Sequence, residues 1–328
     1  MFELDGLPAD YFDDPFPYYR ELRQRHPFHR AADGSLLLSR YADVAQVYRN
    51  PETFISDKHD LFRPKYGETP LFEHHTTSLV FNDPPYHSRV RRLLAGALKP
   101  AAVKAMAPAL ERFVDRLLDD VESRGRFDLV GHFSAAIPVE VVSNLLRIPH
   151  DERKSLRGWS LAILGALEPK LSPQQLAAGN EAVVEFCDYL KVLIERRRRN
   201  QSDDESDVLS RLIQGEGGET LTEKELLHNC IFILNAGHET TTNLIGNAVY
   251  ELLTYPTELA RLRSDPRLIN GAVEETLRYQ SPNQIGNRQV AAATEIAGHA
   301  VSSGDQVVLM IGAANRDPEH FEDPDSFR

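Results

Sequence analysis

The 328 residues contain two cysteines, Cys187 and Cys230. Their flanks, Phe186-Cys187-Asp188 and Asn229-Cys230-Ile231, show neither metal-ligand spacing nor a disulfide framework. That usage points to a reducing, cytoplasmic compartment. Basic charge is also scarce: 37 Lys and Arg stand against 49 Asp and Glu, a formal net charge of -12. Sequence-independent nucleic-acid binding depends on neutralising phosphates, so no nucleic-acid partner is expected. No apolar run approaches the roughly 20 residues of a membrane-spanning helix, so no membrane contact is expected either. The opening Met1-Phe2-Glu3-Leu4-Asp5-Gly6 is acidic and broken by Pro8, unlike the basic start and apolar stretch of a secretory signal. There is no internal repeat, and no Pro- or Gly-rich linker divides the chain. The expectation is a single domain over 1–328.

Hydrophobic residues make up 41% and charged residues 26%, a composition that argues for a globular chain and against disorder. The pattern is mostly helical. Apolar residues recur at helical spacing from Pro100 to Val121 and from Ala182 to Arg199, the second run ending in four arginines. A polar, acidic stretch, Gln201 to Asp207, reads as a solvated connection. Short strands are expected at Ser35 to Ser39 and within Thr294 to Ile311, where Ser303-Gly304-Asp305 supplies turn chemistry between two strands. The fold class expected is mainly α with small β-sheets.

Thr222 to about Leu253 carries the most information. Thr222 with Glu225 is a capping-box signature. The run Leu226 to Leu234 is apolar on several faces, as in a helix buried through the middle of a domain. Its interior is then interrupted by Ala236-Gly237-His238-Glu239-Thr240-Thr241-Thr242. Polar residues inside a buried helix are costly unless something uses them. Gly237 lets another body approach the backbone. The Thr240 hydroxyl can bond back to the Ala236 carbonyl and open a slot, and Glu239 beside it completes a carboxylate–hydroxyl proton relay. The same residues also suit a helix packed tightly through Gly237, with Glu239 in a buried ion pair.

Asp83-Pro84 reads as a helix cap followed by a first-turn proline. His87 and Arg91, four apart on the helix that follows, can clamp carboxylates or phosphates or simply form a basic, solvated helix start. Glu275 and Arg278 can pair at helical spacing, but Glu195/Arg198 and Glu258/Arg261 repeat that spacing. Arg288 falls in what reads as an irregular stretch after Pro282, and Asn315-Arg316-Asp317-Pro318, with Phe321 and Asp323-Pro324-Asp325, reads as a polar loop.

Taken in order, these pieces resemble the cytochrome P450 family of haem-thiolate monooxygenases in its soluble bacterial form. Asp-Pro-Pro-x-His-x-x-x-Arg matches at Asp83 to Arg91, Ala-Gly-x-(Asp/Glu)-Thr at Ala236 to Thr240, and Glu-x-x-Arg at Glu275 and Arg278, the copy that follows the long helix. An arginine matches at Arg288 and Ala-Asn-Arg-Asp-Pro at Ala314 to Pro318. Asp14-Pro15-Phe16-Pro17-Tyr18-Tyr19 resembles the family's opening, so the likeness spans essentially the whole chain.

The resemblance implies heme b (iron protoporphyrin IX) as cofactor. His87, Arg91 and Arg288 would bind its propionates. Ala236, Gly237 and Thr240 would line the distal face, and Glu239 and Thr240 would be catalytic, delivering protons in dioxygen activation. Glu275 and Arg278 would be a structural pair whose third partner is expected past Arg328. The axial cysteine belongs to a Phe-x-x-Gly-x-x-x-Cys-x-Gly loop expected beyond Arg328, so no metal ligand is expected among these residues. Cys230 stands seven residues before Gly237, about 10 Å along the distal helix, and Cys187 lies on another helix; neither is expected to substitute.

The resemblance further implies a small organic substrate, dioxygen, and a ferredoxin or flavodoxin as electron donor; Arg89, Arg92 and Lys99 are the candidates for its docking, and they read equally well as a solvated face. Specificity loops are expected at Phe62 to Phe81 and Trp159 to Leu176. The competing expectation is a truncated, non-catalytic remnant that binds a small apolar ligand or a partner without haem.

Overall fold

The computed structural model describes residues 2–4, 6–168, 170–200 and 207–328; of the acidic stretch after the four arginines, 201–206 lie outside the described residues. Among those described, the helices in chain order are α1 (Phe16–Arg25), α2 (Tyr41–Tyr48), α3 (His59–Tyr66), α4 (Pro70–Thr77), α5 (Tyr86–Ala97), α6 (Pro100–Ala105), α7 (Ala107–Arg124), α8 (Ala136–Leu145), α9 (Leu156–Gly165), α10 (Pro173–Arg199), α11 (Val208–Gln214), α12 (Glu223–Thr254), α13 (Pro256–Ser264), α14 (Ile269–Tyr279) and α15 (Ile311–Ala314). The strands are β1 (Phe28–Arg30), β2 (Leu36–Leu38), β3 (Phe54–Ile55), β4 (Gly286–Val290), β5 (Thr294–Ile296), β6 (His299–Val301) and β7 (Gln306–Leu309). Helices dominate and sheets are small, as the pattern predicts.

The chain divides into two compact units: 1–56 with 243–328, and 57–242. The first holds a five-stranded sheet in the order β1-β2-β7-β4-β3. β2 pairs with β7 in parallel, Leu37 opposite Val308, and β4 pairs antiparallel with β7, Arg288 opposite Val307. Side chains of a strand point alternately to its two faces. Leu36 and Leu38 pack with Val44, Val47, Phe54, Val307 and Leu309. Leu37 packs on the other side with Tyr19, Leu22, Met310 and Ala313. Both faces are covered, which is why three consecutive leucines suit this strand.

The second unit is helical. Its core joins Leu71, Val90, Leu146, Ile163, Phe186, Leu190, Ile194, Leu209, Leu227 and Ile231. α10 begins nine residues before the predicted Ala182, where Ser172 and Gln175 form a capping box ahead of Pro173. The predicted helix from Pro100 to Val121 is two helices, broken at Met106. The expected strand–turn–strand over Thr294 to Ile311 is instead three strands in two sheets. A turn at Ala297 and Gly298, both at positive φ, closes the β5–β6 hairpin, and the Ser302–Asp305 turn leads into β7. The expected specificity loop at Phe62 to Phe81 is largely α3 and α4, with Phe62, Tyr66, Leu71 and Phe72 buried; its apolar residues serve a core.

Candidate functional site

The long helix α12 starts as its sequence dictates. The Glu225 backbone N–H donates to Thr222 Oγ1 at 3.2 Å, and the Thr222 N–H donates to Glu225 Oε2 at 2.9 Å. Leu226, Leu227, Cys230, Ile231 and Leu234 are buried. Buried Asn229 accepts from the Leu79 N–H and donates to the Glu225 carbonyl. The middle of the helix then changes character. Ala236 and Thr240, four apart and on one face, are exposed. Thr240 Oγ1 donates to the Ala236 carbonyl at 3.0 Å, the back-bond that its position predicts.

Gly237 points elsewhere. A Cβ there would lie 2.5 Å from Val142 Cγ1 of α8, so the body that approaches this glycine is a neighbouring side chain. Tight packing through Gly237, one of the two readings open from sequence, holds. The ion pair attached to that reading does not. His238 Nδ1 is 3.2 Å from Glu239 Oε1, but burial pushes the imidazole's proton affinity down against the opposing pull of Glu239, with Arg157 adding to the push. A neutral imidazole faces the carboxylate. Glu239 is 30% exposed as a side chain, yet its Oε1 is shut from solvent without a hydrogen-bond partner among the described residues.

α5 carries His87, half-buried, and Arg91, exposed, one turn apart. It begins at Tyr86 after a cis Pro84–Pro85 bond, two residues later than the Asp83-Pro84 reading predicts. The Asp83 carboxylate accepts from the Asp57 N–H at 2.8 Å, and no side chain caps α5 at its start. No acid pairs with His87 or Arg91 among the described residues. By contrast Arg89 pairs with Glu225 and Arg92 with Glu219. Two of the three residues expected to dock an electron donor are thus engaged within the chain.

In the first unit, Arg278 grips Glu275 with two parallel bonds of 2.7 Å and donates to the carbonyls of Asn315, Pro324 and Ser326. The pair ties α14 to the 315–326 segment. An open pocket of about 700 Å³ lies against it; its walls belong to this framework. Arg288, expected in an irregular stretch, lies in β4 because the residues around it complete the antiparallel ladder with β7. Its guanidinium sits 5.0 Å from the Tyr48 ring centroid and donates to the Asn287 carbonyl.

The predicted polar loop is a built joint. Arg316, 5% exposed, lies between the Phe16 and Tyr279 rings at 3.2 and 3.7 Å from their centroids and donates twice to the Tyr279 carbonyl. Asp317 accepts from the Tyr41 N–H. Sequence reasoning missed a further cluster in the second unit. His74, His75 and His228 are buried, with ring centroids 5.1 Å (His74–His75) and 5.5 Å (His74–His228) apart and one unpartnered nitrogen each. Burial holds His75 at about 3 and His228 at about 4, and His74 well below the usual range. Among the described residues no three such groups are placed to hold a metal ion. The signal available in sequence was the helical spacing that hides these positions among core residues. Both cysteines are thiols: burial pushes Cys187 up to about 11 and Cys230 to about 12.

The family model described as Cytochrome P450 matches residues 167–328. The chain is 32% identical over 325 residues to the biotin biosynthesis cytochrome P450 of Bacillus subtilis (strain 168), covering 97% of this chain and 80% of that protein. It is 34% identical to the cytochrome P450 monooxygenase PikC of Streptomyces venezuelae, covering 100% of this chain and 77% of that one. Among solved structures it is similar to P450BioI in complex with hexadec-9Z-enoic acid ligated acyl carrier protein, at a TM-score of 0.90 and 31% identity over 98% of this chain and 83% of that one. It is similar to CalO2 at a TM-score of 0.92 and 31% identity, over 100% and 82%.

Proposed function

This chain belongs to the cytochrome P450 family, and from that premise we propose that it serves as a haem-thiolate monooxygenase, inserting one atom of dioxygen into a small organic substrate. The observation that carries the reading is the open stretch of α12. Ala236 and Thr240 are exposed on a helix whose preceding turns are buried, beside a carboxylate oxygen without a partner.

The residues present fit haem. Among the described residues His87 and Arg91 have no acid partner, and Arg288 makes only a carbonyl bond and a ring contact. These groups would bind heme b by its propionates, which require such donors. Ala236 and Thr240 would line the distal face, Gly237 contributing backbone only. When bound, haem supplies the redox chemistry of dioxygen. The chain's own part is proton handling. The Thr240 hydroxyl, its hydrogen turned to the Ala236 carbonyl, keeps its lone pairs free to accept a hydrogen bond, and it can pass a proton on once that hydrogen turns from the carbonyl to the open face. Glu239, partly exposed, can collect protons from solvent and renew that hydroxyl.

Electrons would come from a ferredoxin or flavodoxin. No described helix is long and apolar enough to cross a membrane, which supports a cytoplasmic enzyme. The relative solved with an acyl-loaded carrier protein supports an apolar organic substrate. We read 1–328 as one cytochrome P450-like domain.

The test is haem titration of the purified chain, followed by the Soret band. Saturable one-to-one uptake is expected, weakened about tenfold, or about 1.4 kcal/mol, by Arg91→Ala or His87→Ala. No uptake overturns the reading in favour of a chain that binds an apolar ligand without haem.

A further inference from the structure

The loose end in α12 is His238. It is 2% exposed, and neither ring nitrogen has a hydrogen-bond partner among the described residues. A buried polar group left that way is costly. The nearest group able to answer it is equally unanswered: Glu239 Oε1, buried, without a partner and 3.2 Å from His238 Nδ1. Two adjacent orphans at bonding distance are separated only by alignment. The ring torsion of histidine and the terminal torsion of glutamate are both broad, so a modest turn of either brings the N–H onto the oxygen.

The helix sets the rest. Successive side chains step about 100° around the axis. Ala236 and Thr240 share the open face, His238 lies on the far side, and Glu239 stands between. Thr240 is held by its own bond to the Ala236 carbonyl. Glu239 therefore has His238 on one flank and the open face on the other. The groups known to act electrostatically on His238 are Glu239 on its own helix and Arg157 of α9. The α8 contact with this turn is Val142 against Gly237, which is apolar.

We propose that His238 is a positioning residue for Glu239: a neutral imidazole whose Nδ1–H holds Oε1 and so fixes the direction from which the carboxylate serves Thr240. The inference rests on the reading of Glu239 and Thr240 as the proton-handling pair. The buried flank gives the carboxylate a docked position, and release from it turns the same carboxylate toward the open face.

The test needs no haem. In the full chain with 15N-labelled histidine, the long-range proton–nitrogen correlation of His238 reports its tautomer at pH 7. The expected result is a neutral ring with its proton on Nδ1, reverting to the Nε2–H form in Glu239→Ala. A wild-type ring protonated on Nε2, or an Nδ1–H form that persists in Glu239→Ala, overturns the proposal. A second measurement covers the chance that one variant misfolds. The carboxyl carbon shift of Glu239 is titrated in His238→Asn, whose amide N–H sits where Nδ1–H does, and in His238→Phe, which keeps the shape. The Asn variant is expected to retain the wild-type titration, and the Phe variant to shift it by about threefold in proton affinity; equal behaviour of the two overturns it. Loss of haem uptake would sink the monooxygenase reading while leaving these signals standing, so the two failures are distinguishable.

Discussion

Gly237 shows how one position can be legible and still misdirect. The need for a glycine was readable from its place among buried residues, but its neighbour was not, because Val142 is 95 positions away in the chain. A methyl group at 237 would meet Val142 Cγ1 at 2.5 Å. Gly237→Ala is therefore expected to cost about 1–3 kcal/mol by overpacking. Adding Val142→Ala should recover most of that loss, since contacting residues couple; independent, additive losses in a denaturant double-mutant cycle would refute the contact. Arg278 makes the complementary case. Its planar fork meets two carboxylate oxygens and three carbonyls, a set that a lysine's single ammonium cannot reproduce. Arg278→Lys should lower stability by about 3 kcal/mol, read as a fall in the thermal midpoint with unchanged helical content; an unshifted midpoint would remove it from the framework.

At the scale of elements, local chemistry and long-range pairing divide the credit. The starts of α10 and α12 are written within four residues each, by Ser172 with Gln175 and by Thr222 with Glu225, because a capping box needs nothing from the rest of the chain. The start of α5 is not. Asp83 has the chemistry of a cap, but the helix starts beyond it at Tyr86, and its carboxylate accepts from the Asp57 N–H, a partner no local pattern announces. β4 escaped notice for the same reason. Gly286-Asn287-Arg288-Gln289 has little strand character, and the ladder with β7 imposes the extended form. The segment 62–81 reversed the other way: its aromatic and apolar residues fit a binding loop on paper and a helical core in the fold.

Across the molecule, the buried imidazoles set an expectation for pH. His74, His75 and His228 bind protons far less readily folded than unfolded. Folded-state affinities are depressed, so the unfolded chain takes up protons first as pH falls. Stability is complete above the ordinary histidine value of 6.5 and declines below it, down to the folded values of about 3 for His75 and about 4 for His228. The slope is about 1.4 kcal/mol per pH unit for each imidazole that stays neutral. Urea midpoints measured from pH 7 to pH 5 should fall, and should fall less steeply in His75→Phe. A midpoint flat with pH, or a variant as acid-sensitive as wild type, would contradict the assignment. The net charge of -12 shrinks as carboxylates protonate at lower pH still, so it does not produce this decline.

The sequence by itself determined the helical class, the capped starts of α10 and α12, and the family, because ordered motifs from Asp83 to Pro318 survive without knowledge of contacts. It also put Glu239 and Thr240 next to each other on a single helix, the premise of the proposed proton relay. Only the tertiary structure decided that Gly237 makes room for Val142, that Arg316 is clasped between Phe16 and Tyr279, that Arg288 belongs to a sheet, and that three histidines meet inside a core. The physical reason is common to all four. Backbone preference and capping act over a few residues, whereas burial, close packing and strand pairing are settled between residues the chain keeps far apart.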